Sequence, residues 1–244
     1  MTDLAVVSLL VLLLGPCVGS FVALCADRIP AGRDVVRQRS TCGTCDAALG
    51  LPDLVPILSF ATLRGRCRTC KAAIPAHLLY LEIVAGGVAI WAVLAGGDAS
   101  QVLLNACLLW LLLALGAIDW TSYRLPDPFT ALLAIVALLR APDLQLALMG
   151  GAIGSGAFLV LRWAYRAVRG RDGLGLGDVK LMFGLGAAVG PVLLPVLVLI
   201  AAATALAGAL VTRLSTGQAR FDQPLPFGAA LCAAAGVLWL AGAY

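Results

Sequence analysis

Long apolar stretches recur along the whole chain, and most have the length that a helix needs to cross a lipid bilayer. With 61% hydrophobic and 12% charged residues, the chain is too apolar for a water-soluble domain. A crossing helix needs roughly 20 apolar residues, and it pairs its own backbone amides, which find no water in lipid. The sequence predicts spans near residues 4–26, 77–96, 101–119, 128–141, 144–163, 179–194, 195–212 and 226–244. We therefore expect an all-α fold, a polytopic membrane bundle of about eight transmembrane helices.

Some of these spans are weakly marked. The stretch 128–141 is short for a full crossing. The sixth and seventh spans run together, and only Gly190, Pro191 and Pro195 indicate a hairpin between them. The first stretch lacks a positively charged region before its apolar part, so we expect a retained span instead of a cleaved signal peptide.

The basic residues lie almost entirely on one side of the predicted bundle. Of the 17 Lys and Arg, all but Arg140 lie in the segments 27–76, 120–127, 164–178 and 213–225 or in their immediate flanks. Cytoplasmic loops carry an excess of Lys and Arg, so we predict that these segments are cytoplasmic and that both termini lie outside. The net charge of +4 then reflects insertion and anionic lipid headgroups, and no nucleic-acid partner is expected.

One composition shift divides the chain. Residues 27–76 are polar and rich in Arg and Cys, whereas the residues on either side are apolar. We predict a first transmembrane helix at 1–26, a cytoplasmic four-cysteine zinc-binding domain at 27–76, and a multi-span membrane domain at 77–244. No internal repeat stands out.

Two Cys-x-x-Cys pairs in the insertion have the spacing of a metal site. They read CGTC at Cys42 and Cys45 and CRTC at Cys67 and Cys70. Four thiolates form the closed tetrahedron of structural zinc sites, and a metal crosslink would supply folding free energy that a short polar segment lacks. Disulfides, redox chemistry and idle thiols are the alternatives, and a reducing cytoplasm disfavours disulfides. Four sulfurs leave no open position for catalysis.

Four other cysteines lie within or at the ends of apolar spans, where packing is the expected role. They are Cys17, Cys25, Cys107 and Cys232.

Two acids stand at predicted membrane edges. Asp119 ends the third span and Asp178 begins the sixth. A charge at a span centre costs about 2.5–3.5 kcal/mol on insertion scales and less toward the interface, so such acids are functional candidates. Two carboxylates within hydrogen-bonding distance do not easily both ionise, which is the arrangement of an aspartic protease. The alternative is structural, since Asp also caps helices and favours the positive end of a helix dipole.

A glycine run precedes the second acid. Gly173, Gly175 and Gly177 lack Cβ atoms, so the backbone there is able to approach a substrate closely or to adopt φ > 0 before the helix begins.

With these motifs the chain resembles type IV prepilin peptidases, the bacterial members of the GxGD intramembrane aspartic proteases. The stretches IDWTSYRLPD and RDGLGLGDVKL match the two acidic motifs of that family. GPCVGSFVALCADRIP, RSTCGTC, RGRCRTC and LPFGAAL match further motifs, so the resemblance extends over nearly the whole chain.

The resemblance implies roles for particular residues. Asp119 and Asp178 become the catalytic pair. Asp127 is a third candidate, although a turn that caps the next helix is the preferred interpretation. Glu82 is expected either to pair with a base such as Lys180 or to contact the new amine of the substrate. Lys180 is expected either to hold Asp178 ionised or to extend to the interface.

Two further residues complete these expectations. His77, the lone histidine, is expected to be interfacial and not a ligand. Asp172 joins the other acids as a possible contact for a basic substrate segment.

The resemblance also implies the reaction and its setting. Family members cleave prepilins or pseudopilins of type IV pilus or type II secretion systems after a glycine that ends a basic leader, at the cytoplasmic border of the inner membrane. Relatives with the Cys-rich loop also methylate the new N-terminus from S-adenosylmethionine. A transporter or channel and a nonenzymatic assembly subunit are the alternatives. A transporter favours acids near the middle of the membrane and inverted repeats, and the sequence indicates neither.

Overall fold

The computed structural model describes residues 2–170, 173–216 and 225–242. Within these ranges the chain forms eight α-helices and one short 3₁₀ helix, which confirms the predicted all-α class. The helices are α1 (Thr2–Arg28), α2 (Leu58–Thr62), α3 (Ala76–Leu94), α4 (Ala99–Ser122), α5 (Asp127–Arg140), α6 (Leu144–Arg169), α7 (Leu176–Thr216) and α8 (Phe227–Leu240), and the 3₁₀ helix is Leu51–Leu54.

Five helices of the described chain are long and apolar enough to cross a membrane, namely α1, α3, α4, α6 and α7. The helices α5 and α8 have 14 residues each, so at 1.5 Å per residue each is roughly 21 Å long. The protein is therefore a multi-pass membrane protein with two shorter helices.

The helical stretch α7 reverses direction at Gly190, where φ is 75° and ψ is 168°. A Cβ built on Gly154 of α6 would lie 2.9 Å from the carbonyl oxygen of Met182 and 3.3 Å from a methyl carbon of Leu194. In one continuous helix Met182 and Leu194 would be about 18 Å apart, yet both lie beside Gly154. The second half of α7 therefore folds back along the first. The predicted hairpin between the sixth and seventh spans is confirmed. With α1, α3, α4, α5, α6 and α8, the two halves make eight helical segments at the positions of the eight predicted spans.

Helix contacts divide the chain into two compact units, Met1–Ala106 and Cys107–Tyr244. Within the first unit α1 packs along α3, and within the second α7 packs against α5, α6 and α8. The predicted division into 1–26, 27–76 and 77–244 follows composition, because it marks where the polar segment begins and ends. That division stays a prediction.

Glycines bring α6 and the first half of α7 into backbone contact. A Cβ on Gly150 would collide with the carbonyl group of Gly186, and a Cβ on Gly151 would lie 2.9 Å from the carbonyl oxygen of Phe183. Apolar burial gives little force between helices in lipid, so close packing of small residues is a main source of association there. This contact fixes the first half of α7 against α6.

We predict that Gly150→Ala destabilises the protein, because the added methyl group has no space at the α6–α7 contact. Overpacking of this kind costs about 1–3 kcal/mol. Thermal unfolding in detergent is the measurement, and Gly156→Ala is the matched control on the same helix, where a Cβ meets nothing within 4 Å. Equal unfolding temperatures for the two variants would contradict the packing described here.

Candidate active site

The N-terminus of α8 holds Asp119. This residue lies in the last turn of α4, and only 5% of its surface is exposed. Ala229 N–H donates a hydrogen bond of 2.7 Å to Asp119 Oδ2, and Gly228 N–H is a second donor to the carboxylate. Because α8 begins at Phe227, both donors belong to the first turn, whose N–H groups have no partner within the helix. The positive end of the helix dipole points at the same carboxylate.

Gly228 allows the backbone of α8 to lie this close to the carboxylate of Asp119. A Cβ at that position would lie 3.0 Å from both Cγ and Oδ2 of Asp119. The stretch LPFGAAL was matched to a family motif without a role, and no sequence pattern indicated that its N–H groups bind an acid. In the structure it supplies both the backbone donors and the space that Asp119 requires.

Asp178 is the third residue of α7, and it is half-buried. Its carboxylate accepts a hydrogen bond from Gly175 N–H, immediately before the helix. This is one half of a capping box, in which the third helical residue reaches back to the residue that precedes the helix. A Cβ on Gly175 would lie 3.2 Å from Asp178 Oδ2, so the glycine leaves room for the acid.

The structure brings Asp119 and Asp178 together. Their carboxylates lie close enough to interact electrostatically, and both act on Cys232, which is buried on α8. Two backbone N–H groups at the start of α8 hold Asp119, and one just before α7 holds Asp178, so both carboxylates are oriented. Their assignment as a catalytic pair stays a prediction.

Leu125 lies between the supports of the two acids. A Cβ on Gly177 would lie 3.1 Å from Leu125 Cβ, and a Cβ on Gly228 would lie 3.0 Å from Leu125 Cδ1. The leucine of the LPD motif thus contacts the glycine before Asp178 and the glycine beside Asp119. Its contacts set how closely the start of α7 and the start of α8 approach each other.

Two side chains of α6 contact the glycine run. Arg162 Nη1 donates a hydrogen bond to the carbonyl oxygen of Leu174, and the ring of Tyr165 fills the space where a Cβ of Gly173 would lie. The alternative of positive φ in the run is wrong, because none of its three glycines adopts it. Close contacts to neighbouring side chains explain these glycines instead. Asp172 lies outside the described residues.

Asp127 and Lys180 contact each other at the surface. Lys180 Nζ lies 2.7 Å from Asp127 Oδ1, and both side chains are more than half exposed. Pro126 is the extended residue before α5, and Asp127 and Pro128 already lie in the helix. The predicted cap is wrong, since no side chain caps that helix. Asp127 instead lies in the first helical turn and binds a lysine of α7. An exposed pair of this kind contributes about 0–1 kcal/mol.

Glu82 and His77 have partners in the first unit. Glu82 is buried, and its Oε2 accepts a hydrogen bond of 2.7 Å from Ile57 N–H. Within the first unit its partner is this backbone group, and the expected pairing with a base such as Lys180 or contact with the new amine of the substrate stays a prediction. His77 Nε2 lies 3.2 Å from Asp27 Oδ1, where α1 ends and α3 begins, so it joins two helix ends. Its position at the membrane interface stays a prediction.

The four predicted metal ligands form one cluster. The sulfurs of Cys42, Cys45, Cys67 and Cys70 all lie within 4.8 Å of one another. A tetrahedral site with metal–sulfur bonds of about 2.3 Å has sulfur–sulfur distances of about 3.8 Å. The Cys42 and Cys70 sulfurs are 3.8 Å apart, so the cluster can hold one metal ion.

The cluster is built from two similar turns. In the first, Cys42 N–H donates to Ala47 O and Asp46 N–H donates to Cys42 O. In the second, Cys67 N–H donates to Ala72 O and Lys71 N–H donates to Cys67 O. Asp46 and Lys71 both have positive φ, and the two turns share the pattern Cys-x-Thr-Cys-x-Ala-Ala. The chain therefore contains a short internal repeat, contrary to the expectation that none stands out.

Backbone donors prepare two of the sulfurs for metal binding. The N–H groups of Thr44 and Cys45 lower the pKa of Cys42 to about 6. The N–H groups of Cys70 and Thr69 likewise lower the pKa of Cys67. Thiolates, not thiols, bind metals, so both turns favour the ligating form.

Comparison with known proteins covers both halves of the chain. Residues 13–95 match the model of the bacterial peptidase A24 N-terminal domain, and residues 106–211 match that of the type IV leader peptidase family. A prepilin leader peptidase/N-methyltransferase of Burkholderia pseudomallei (strain 1026b) is 38% identical over 219 residues, which cover 86% of this chain and 70% of the relative.

Two other relatives give the same result. A prepilin leader peptidase/N-methyltransferase of Dickeya chrysanthemi is 34% identical, over 90% of this chain and 87% of the relative. A type 4 prepilin-like proteins leader peptide-processing enzyme of Escherichia coli O78:H11 is 35% identical, over 79% of this chain and 72% of the relative. No solved structure matches the chain. With two family domains in order and relatives of this similarity, the chain belongs to the type IV leader peptidase family.

Proposed function

We propose that the chain is a membrane aspartic endopeptidase that removes the basic leader of type IV prepilins or pseudopilins. The bond it cleaves follows a glycine at the cytoplasmic membrane border. Family membership and the names of the relatives support this activity. The observation that carries the mechanism is the approach of Asp119 and Asp178, the first bonded by two N–H groups and the second by one, all beside a helix start.

The two carboxyl groups divide the proton transfers. One is ionised and removes a proton from a water molecule, whose oxygen attacks the carbonyl carbon of the scissile peptide bond. The other is protonated and donates a hydrogen bond to the oxyanion that forms. When the carbon–nitrogen bond breaks, the protonated carboxyl group gives its proton to the leaving amine. This amine becomes the N-terminus of the mature pilin. The leader leaves with the new carboxylate.

The relatives' names also include N-methyltransferase, so the proposal includes methylation of that amine. S-adenosylmethionine would supply the methyl group. The Cys42, Cys45, Cys67 and Cys70 cluster would hold a structural Zn²⁺, which four thiolates saturate.

The distribution of basic residues supports a location in the bacterial inner membrane with the Cys cluster on the cytoplasmic side. With eight spans, both termini then lie outside the cytoplasm. Asp119 near the end of α4 and Asp178 near the start of α7 then lie at the cytoplasmic border, where a leader peptide ends.

Replacing either acid is expected to abolish leader removal. Asp119→Asn and Asp178→Asn each remove a group that transfers protons, and such groups contribute about 10²–10⁴-fold to rate. The measurement is the rate at which a prepilin is shortened in membranes that contain each variant.

The control for this test is Asp143→Asn. Asp143 caps α6 through hydrogen bonds to Gln145 N–H and Leu146 N–H, and Asn caps a helix about as well as Asp. Full processing by Asp119→Asn or Asp178→Asn would remove the catalytic assignment.

Gly228→Ala is expected to slow processing by at least tenfold, since its Cβ would lie 3.0 Å from the carboxyl group of Asp119 and displace it. Misplacement of a reacting group by about 1 Å can cost 10²-fold in rate. Gly236→Ala on the same helix is the matched control, because a Cβ there meets nothing within 4 Å. If both variants process prepilin at the same rate, Gly228 does not position the acid.

The purified protein is expected to contain about one zinc ion per chain, because one set of four thiolates forms a single site. Protons compete with metal for the four thiolates, so zinc is expected to be retained at neutral pH and to be lost in acid. Elemental analysis over a series of pH values from neutral to acidic is the measurement.

Two cysteine variants locate the metal. Cys42→Ser is expected to lose the zinc, and Cys17→Ser, whose thiol lies outside the cluster, is expected to keep it. Zinc retained by Cys42→Ser would refute the site.

A further inference from the structure

The segment between the two Cys pairs lies deeper than the polar module around it. Ile57 N–H donates to Oε2 of Glu82, a buried residue six positions after the start of α3 at Ala76. At 1.5 Å per residue, Glu82 Cα lies roughly 9 Å inside the helix. Helical side chains lean toward the N-terminus, which brings the carboxylate a few Å back. Ile57 therefore lies about one turn inside the start of a membrane-spanning helix.

A second helix also places Glu82 well inside the helix ends. Gly19 of α1 packs on Glu82, since a Cβ there would lie 2.6 Å from Glu82 Cα. Gly19 precedes the end of α1 at Arg28 by nine residues, or about 13 Å. Asp27 and His77, at the polar ends of α1 and α3, contact each other at 3.2 Å. The bond between Ile57 and Glu82 is therefore on the membrane side of that polar pair.

The backbone of this segment is suited to such a position. Pro52 and Pro56 have no N–H group, Ile57 N–H is bonded to Glu82, and Leu58 N–H donates to Pro56 O at 2.6 Å. Ile57 has a φ of 63°, which is rare for a β-branched residue and persists only when neighbours enforce it. Irregular backbone at membrane depth requires that protein groups pair its donors, and Glu82 does so here.

Four large apolar side chains of the segment are exposed. Leu51 is 84% exposed, Leu58 63%, Leu54 44% and Val55 42%. The two helices concerned, Leu51–Leu54 and α2, have only four and five residues, so neither spans a membrane. Exposed leucines on short helices beside the first turns of α3 are typical of a segment that lies in the membrane interface.

The same segment is joined to the metal cluster. Arg68, between Cys67 and Cys70, contacts Asp53 of the 3₁₀ helix at 2.8 Å. Within the part of the chain that the structure describes, three nearby bases make no ion pair and line a cavity of about 390 Å³ with Leu63 and Cys67. These bases are Arg64, Arg66 and Lys71. Basic residues at a membrane surface are attracted by anionic headgroups at about 1 kcal/mol each.

We propose that residues 51–63 form a re-entrant segment that inserts into the headgroup and acyl boundary of an anionic bilayer. The hydrogen bond from Ile57 N–H to Glu82 holds this segment on α3. Phospholipid covers the four exposed apolar side chains, and lipid phosphates meet the three unpaired bases. The segment thereby holds the four-cysteine module against the membrane surface. Its placement is independent of the proposed peptidase reaction.

Photo-crosslinking identifies what covers the segment. The full chain, with p-benzoylphenylalanine in place of Leu51 or Leu58, is reconstituted in vesicles of phosphatidylethanolamine and phosphatidylglycerol and irradiated. Mass spectrometry is expected to find phospholipid adducts at both positions, with phosphatidylglycerol enriched severalfold over its share of the vesicle. The same probe at Thr44, exposed on the first Cys turn, is expected to give at least tenfold less lipid adduct. Adducts to a second copy of the chain, or no lipid adducts, would overturn the proposal.

Glu82 variants test whether the hydrogen bond from Ile57 N–H holds the segment in place. Glu82→Ala leaves Ile57 N–H without an acceptor and is expected to lower the lipid adduct at Leu58 severalfold. Glu82→Gln keeps a carbonyl acceptor and is expected to retain most of it. Zinc content measured in parallel shows that the module is still folded. Equal lipid adducts in both variants would show that Glu82 does not set the depth of the segment.

Discussion

A carboxylate buried at a membrane edge must be bonded by the protein, and this constraint explains much of the structure. Asp119 accepts N–H groups from the start of α8, Asp178 accepts one from the residue before α7, and Glu82 accepts one from Ile57. In each case the donor is a backbone group that regular structure leaves unpaired. The acid and the irregular backbone therefore satisfy each other, and neither is stable in lipid alone.

Glycines provide the space that these carboxylates need beside the backbone. Gly228 and Gly175 lie where a Cβ would contact a carboxylate, and Leu125 fills the space beside Gly177 and Gly228. The motifs around the two acids therefore act as one packing unit, in which the backbone comes near enough to donate and a leucine sets the separation.

The sequence predicted the helical class, eight helical segments with their hairpin and the cluster of four cysteines, because each depends on composition or local spacing. The nearness of Asp119 and Asp178 was expected from the two acidic motifs. The sequence did not predict the donors to Asp119, which come from a helix 110 residues farther along the chain, or the leucine that separates the motifs. It also did not predict the partners that Glu82 and Lys180 have within their own units, Ile57 N–H and Asp127. Such partners are set by tertiary contacts that single-sequence patterns do not contain.

The most direct test of the central claim is a structure of the protein with a prepilin peptide whose scissile amide is replaced by a secondary alcohol. The alcohol oxygen stands in for the tetrahedral oxygen of the hydrolysis intermediate. It should lie within about 2.6–3.2 Å of a carboxyl oxygen of Asp119 and of Asp178 at once. An alcohol bound away from either acid, with the leader seated elsewhere on the chain, would contradict catalysis by this pair.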